Sequence, residues 1–248
     1  MNLRRVFIHT ILYLPFVFHK VTRSGSFGPC RAEDVDGPVP AGGNPLKAGL
    51  WKHHVKQFHE SSCSVATVVS VVNALRGADA APITQMDILE TVRTAFWKER
   101  MSEKGHKGRR GLPLPVLGEV VTSSLDQYGI GYAAVETVQA QKDPRHSKTI
   151  KEVLRRRLND FEKKGNCLII AHFDQGAYVP TLNIPHISPV GGFDPHTGEV
   201  ILLDVDPQQE KPYRVRFDTF YKGLASDYNH VFRPFGYRSG GYVYIKLH

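Results

Sequence analysis

Cysteine is scarce in this chain. Only Cys30, Cys63 and Cys167 occur among 248 residues, and no two form a Cys-x-x-Cys pair. That excludes a disulfide framework and argues against a cysteine-rich metal site. Twelve histidines are present, yet none falls in a His-Glu-x-x-His pattern, so no protein metal ligands are expected. Long hydrophobic runs are missing too. The apolar stretch from Val6 to Phe18 is broken by His9 and Pro15 and is short for a bilayer span. There is no internal repeat and no low-complexity tract. Acidic residues number 24 against 32 Lys and Arg, a formal charge of +8. The basic residues are scattered, with short clusters only at Arg109-Arg110 and Arg155-Arg156-Arg157, and no nucleic-acid motif accompanies them. No nucleic-acid partner is expected; a mildly positive surface suits a small anionic substrate.

Arg4-Arg5 precede the apolar run and Lys20 follows it. Residues 1–21 read as a signal peptide or as a hydrophobic N-terminal segment, with Cys30-Arg31-Ala32 offering small residues for cleavage. The first reading implies export, to the periplasm in a bacterium; the second leaves the protein cytoplasmic. No integral membrane span is expected beyond that segment. Residues 22–45, rich in Gly, Pro and acidic side chains, read as a linker or draped arm. The globular domain is expected over 46–248, with ample material for a core at 41% hydrophobic content.

The helical pattern comes first. Residues 62–76 read as a central helix, apolar nearly all round and rich in β-branched side chains, so burial has to hold it. Gly77 is a natural stop. Thr84 with Asp87 predicts a capped helix over 85–100, with Ile88, Leu89, Val92, Ala95 and Phe96 on its apolar stripe. Residues 102–111 form a charged loop, followed by a helix over 113–128 and a strand near Tyr132–Val135. Ser147 caps a helix to Lys164, whose arginine triplet reads as a solvated face. Strands follow at Cys167–Phe173, His186–Phe193, Glu199–Val205 and Tyr242–Leu247, with a short helix at 217–225. Helices first and an antiparallel sheet later predict an α+β fold.

Two stretches carry chemistry. Gln57-Phe58-His59-Glu60-Ser61-Ser62-Cys63 delivers a cysteine to the first turn of the 62–76 helix. The positive end of the helix dipole there favours a thiolate, and Gln57 is placed to donate to an oxyanion. The plain alternative is a structural cysteine in an apolar helix. The second stretch runs from Pro185-His186 through the turn Asp194-Pro195-His196-Thr197-Gly198 to Leu203-Asp204-Val205. A hairpin turning about residues 195 and 196 sets His186 directly opposite Asp204, where a carboxylate orients and charges an imidazole. An aspartate among Leu202, Leu203 and Val205 is costly unless paired. The pair alone could merely pin the hairpin; beside Cys63 it makes a Cys-His-Asp triad.

The order Gln, Cys, His, Asp resembles papain-like thiol enzymes, and more closely the phytochelatin synthases of the short prokaryotic type. Gln57 with Cys63-Ser64-Val65-Ala66-Thr67 and Val72-Asn73-Ala74-Leu75 is similar to that family's cysteine helix. His186-Ile187-Ser188-Pro189-Val190-Gly191-Gly192-Phe193, Leu203-Asp204-Val205 and the closing Gly240-Gly241-Tyr242-Val243-Tyr244 resemble its later motifs. The resemblance implies a papain-like fold, a helical half carrying the nucleophile and a sheet carrying the His-Asp pair. It also implies glutathione γ-glutamylcysteinyltransferase activity through a Cys63 thioester, with glycine released and either hydrolysis or transpeptidation following. Catalytic residues would be Cys63, His186, Asp204 and, at the oxyanion, Gln57; Arg238 and Ser64 are substrate-binding candidates. Glutathione is the implied partner, no cofactor is implied, and cadmium or zinc would enter as thiolate complexes of glutathione. A homodimer is a further expectation. Ser64 stands where the family has glycine, and Pro207-Gln208-Gln209-Glu210 departs from its basic and aromatic stretch.

Two other readings compete. One is a papain-like peptidase acting on peptides. The other is a non-catalytic thiol- or metal-binding module using His53, His54, His59, His106, His172 and His230, read mostly as surface or loop residues.

Overall fold

A computed structural model describes residues 3–36, 44–77, 80–228 and 239–248. Helix α1 (Leu3–Thr22) leads into the short strands β1 (Ser24–Gly25), β2 (Gly28–Pro29) and β3 (Glu33–Asp34). Then come helices α2 (Pro45–Lys52), α3 (Cys63–Arg76), α4 (Gln85–Thr91), α5 (Trp97–Arg100) and α6 (Leu114–Gln127). Strand β4 (Ala134–Gln139) and helix α7 (Pro144–Lys164) precede β5 (Cys167–Asp174), β6 (Pro185–Asp194), β7 (Glu199–Leu202) and β8 (Tyr213–Arg216). Helix α8 (Phe217–Leu224) and strand β9 (Gly241–Lys246) complete the order. The fold is α+β, built on a seven-stranded antiparallel sheet in the order β3-β8-β7-β6-β5-β9-β4.

Helix α3 is enclosed as its composition requires, with every residue from Cys63 to Ala74 buried. Its β-branched side chains are poor helix formers, so the surrounding core supplies what propensity does not. It ends at Gly77, whose φ of 80° suits glycine. Thr67 Oγ1 donates to Ile187 O at 3.0 Å, fastening the cysteine helix to β6 beside His186.

The single helix expected over 85–100 is broken. The Thr84–Asp87 capping box forms and α4 begins as expected, but Val92 turns extended and Ala95 and Phe96 adopt left-handed backbone. The turn brings Trp97 into the core, where its indole N–H donates to Ser64 Oγ at 3.0 Å. Phe96 is consequently 56% exposed rather than on the apolar stripe, stacked against His106. Burying an indole with its N–H satisfied outweighs about 1–2 kcal/mol for each left-handed residue.

Helix α7 starts a turn before the expected Ser147, because Asp143 caps it and Pro144 fits its first position. Its arginine triplet is not uniformly solvated. Arg157 is tucked under the helix, pairing with Glu136 and lying 3.9 Å from the Tyr244 ring centre, while Arg155 lies over Phe217. The strand expected at Tyr132–Val135 runs instead over Ala134–Gln139 against β9. Strand β7 stops at Leu202, short of the expected Val205. Helix α2 and strand β8 went unanticipated. Asn44 caps α2 and also reaches Phe161 O at 2.5 Å. In the stretch read as an arm, β3 pairs with β8.

Replacing Thr67 by Val should leave the buried Ile187 carbonyl without its donor. We expect a loss of about 1–3 kcal/mol in urea unfolding, with the secondary-structure content of the native protein unchanged.

Candidate active site

Cys63 is the first residue of α3, and the loop before it is tied down on both sides. Gln57 N–H donates to Val205 O at 2.8 Å, next to Asp204. The Ser62 hydroxyl donates to His59 O at 2.8 Å and accepts from His59 N at 2.9 Å. Ser62 therefore spends its side chain on the loop and does not cap the helix. Val65 N–H turns back to Ser62 O at 3.0 Å, while the Cys63 N–H sits at the positive helix end with no side-chain cap from Ser62.

His186 Nε2 meets Asp204 Oδ1 at 2.7 Å, and both residues are buried. The Cys63 side chain lies close enough to the same imidazole to favour its charged form. With Nε2 on the carboxylate, Nδ1 is the nitrogen that remains for the thiol. Phe173 stands edge-on to the imidazole at 5.4 Å. Asp204 receives two further donors: Tyr213 Oη at 2.7 Å on Oδ2 and Asp206 N at 2.8 Å on Oδ1. Lys56 Nζ holds the Asp204 carbonyl at 2.7 Å.

The His-Asp contact is not made by the expected pairing. Val190 stands opposite Leu202 and Phe193 opposite Val200, with a bulge between Val190 and Gly192. Continuing that register, Asp204 faces Ser188, and His186 is its diagonal neighbour on the same face. A diagonal pair lies within reach of an imidazole.

Burial works against charge on both partners, and the pairing outweighs it. The Asp204 charge and hydrogen bond, aided by Cys63, hold the His186 pKa well above the usual histidine value. His186, the Asp206 N–H and the Tyr213 hydroxyl hold Asp204 below the usual carboxylate range. The imidazolium–carboxylate form is therefore favoured. The other two thiols have no such partner: burial pushes Cys30 and Cys167 each up to about 11.

Gln57 reaches the site through its backbone, and its side-chain Oε1 is buried with no hydrogen-bond partner. Ser64 points elsewhere. Its hydroxyl takes the Trp97 N–H and reaches Met101 Sδ at 3.9 Å, so it is committed to the core and not to a surface open to substrate. Arg238 and His230 lie outside the described residues. His172, read as a surface or loop residue, is a buried position of β5 whose pKa burial drives down to about 4. Among the described residues no cluster of His, Cys, Asp and Glu could hold a metal ion. Tyr213 and Lys56 escaped the sequence reading; a tyrosine nine residues past the aspartate on an unrecognised strand carried no signal.

A family model for phytochelatin synthase matches residues 46–237 of the chain. No curated protein matches it.

The Tyr213→Phe variant should raise the Asp204 pKa and, through the pair, lower that of His186. The His186 contribution to stability is complete below the unfolded histidine pKa and is lost as pH rises through its raised folded value. The Asp204 contribution is complete above the unfolded carboxylate pKa and is lost as pH falls through its depressed value. The pair thus stabilises most between about pH 4 and 6.5. We expect the variant to lose about 1.5–3 kcal/mol there, and the His186 NMR titration to move to lower pH.

Proposed function

The chain belongs to the phytochelatin synthase family, and on that premise we propose that it is a glutathione γ-glutamylcysteinyltransferase working through a Cys63 thioester. Membership itself makes it an enzyme of glutathione-related, transferase-type function. The observation that supports the finer reading is the buried His186–Asp204 pair, 2.7 Å apart, with the Cys63 side chain near its imidazole at the start of α3.

In the first half-reaction Cys63 reacts as the thiolate, its proton held on His186 as an imidazolium that Asp204 stabilises. The Cys63 thiolate attacks the carbonyl carbon of the Cys–Gly amide of glutathione. Negative charge then develops on the carbonyl oxygen, where the Cys63 backbone N–H and the Gln57 amide are the donors. His186 returns its proton to the departing amine, the C–N bond breaks, and glycine leaves. A γ-glutamylcysteinyl thioester remains on Cys63.

In the second half-reaction His186 is the base. Water attacking the thioester gives γ-glutamylcysteine; the α-amine of a second glutathione gives a phytochelatin. In each case the Cys63 thiol is regenerated. Cadmium or zinc takes part as a thiolate complex of the substrate. The committed Ser64 hydroxyl supports no role in holding glutathione, so recognition falls to other groups around Cys63.

Incubation with glutathione, following free glycine, tests the proposal. Wild-type protein should release glycine stoichiometrically with γ-glutamylcysteinyl product, with mass spectrometry trapping an acyl group on Cys63. Cys63→Ala should abolish release, and His186→Ala should lower it about 10²–10⁴-fold. No glycine from the wild type, with or without zinc or cadmium, overturns the assignment. Cleavage of longer peptides in its place points to a peptidase.

A further inference from the structure

Over residues 13–21, helix α1 carries an apolar face that stays exposed among the described residues. Tyr13, Leu14, Val17, Phe18 and Val21 recur at the spacing that gathers side chains on one side of a helix. All five are exposed, with Leu14, Phe18 and Val21 at 68%, 61% and 77%. Phe27, on the β1–β2 hairpin that follows, is also exposed, and Lys222 Nζ lies 4.1 Å from its ring centre. Isolated exposed apolar residues need no explanation, but a contiguous face of this size marks a contact surface.

Charge identifies the partner. The first 32 residues contain no Asp or Glu, while Arg4, Arg5, Lys20, Arg23 and Arg31 lie among them. These five cations make up most of the chain's formal excess of +8. An aromatic and aliphatic helix face accompanied only by cations suits the boundary between acyl chains and anionic headgroups. Among the described residues no helix is long and apolar enough to cross a membrane, so the geometry favours lying along the surface.

The helix is coupled to the enzyme body. Its end is fixed by Thr22 Oγ1 donating to Phe18 O at 2.8 Å and by His19 Nδ1 at 3.2 Å from Ser24 Oγ. Ser26 N then donates to Gly176 O at 2.7 Å. Gly25 lies so close to that carbonyl that a Cβ there would come within 1.9 Å of it. A few residues on, β3 joins the main sheet against β8. A force on α1 is thus passed into the domain that carries Cys63, His186 and Asp204.

We propose that α1 is retained as an interfacial anchor that docks the enzyme on an anionic lipid bilayer. The test is co-sedimentation of the full chain with phosphatidylcholine vesicles, with and without phosphatidylglycerol, alongside a Leu14→Glu/Phe18→Glu double variant. Wild type should pellet with the anionic vesicles, less so as salt rises. The double variant, altered only at exposed positions, should partition at least about tenfold less while keeping its circular dichroism spectrum and glycine release. Wild type remaining in the supernatant overturns the proposal, as does undiminished binding of the variant. So does a salt-resistant dimer that the double substitution dissolves, which would assign the face to a second copy. Intact-mass measurement of protein from its native cells completes the test: a chain beginning after α1 makes the segment a cleaved leader and overturns the anchor.

Discussion

Asp204 is a carboxylate with no exposed surface, and the site depends on how that charge is satisfied. An unpaired buried carboxylate would cost several kcal/mol or would simply take up a proton. Here the imidazole of His186, the hydroxyl of Tyr213 and the N–H of Asp206 converge on its two oxygens. Each donor comes from a different place: β6, β8 and the segment beyond β7. Satisfying one charge therefore holds three neighbouring stretches of the sheet in register, and the same charge favours the charged imidazole of His186.

The cysteine side is held by a different force. Helix α3 has little intrinsic helicity and stays helical because it is enclosed, by α2 on one side and β6 on another. Its first turn carries the Cys63 thiol beside His186. The Ser62 side chain hydrogen-bonds back into the loop and gives the helix N-terminus no cap. Ser64, one residue past the thiol, anchors Trp97 from the left-handed turn after α4. A glycine at that position could not accept the indole N–H, so Ser64 and the broken helix at 92–96 belong to one packing solution.

Much of this was legible from residue order. The cysteine helix and its glycine stop, the Thr84 capping box, and the strands at 167–173 and 186–193 follow from periodicity and end signals. The α+β class follows with them, and the resemblance to phytochelatin synthases rests on the motifs around Cys63, His186 and Asp204. What was missed has a common cause. Asn44 held against Phe161, Tyr213 as carboxylate donor, Trp97 as core residue and Arg157 as a half-buried cation are all decided by partners outside their own elements. Local propensity says nothing about such partners, and it was overridden wherever a large side chain or a charge had a distant group to meet.

By itself the sequence determined which residue types stand at chemically meaningful intervals: a cysteine opening an apolar helix, a glutamine six residues before it, and a histidine and an aspartate flanking a tight turn. Those are properties of short segments and their spacing. Only the tertiary structure decided that His186 and Asp204 meet diagonally, through a bulge the hairpin count did not foresee. It also turned Ser64 into the core, gave Asp204 its third donor from β8, and left the face of α1 bare. Each of these depends on register and burial, which are set when distant segments compete for the same space and the same hydrogen bonds.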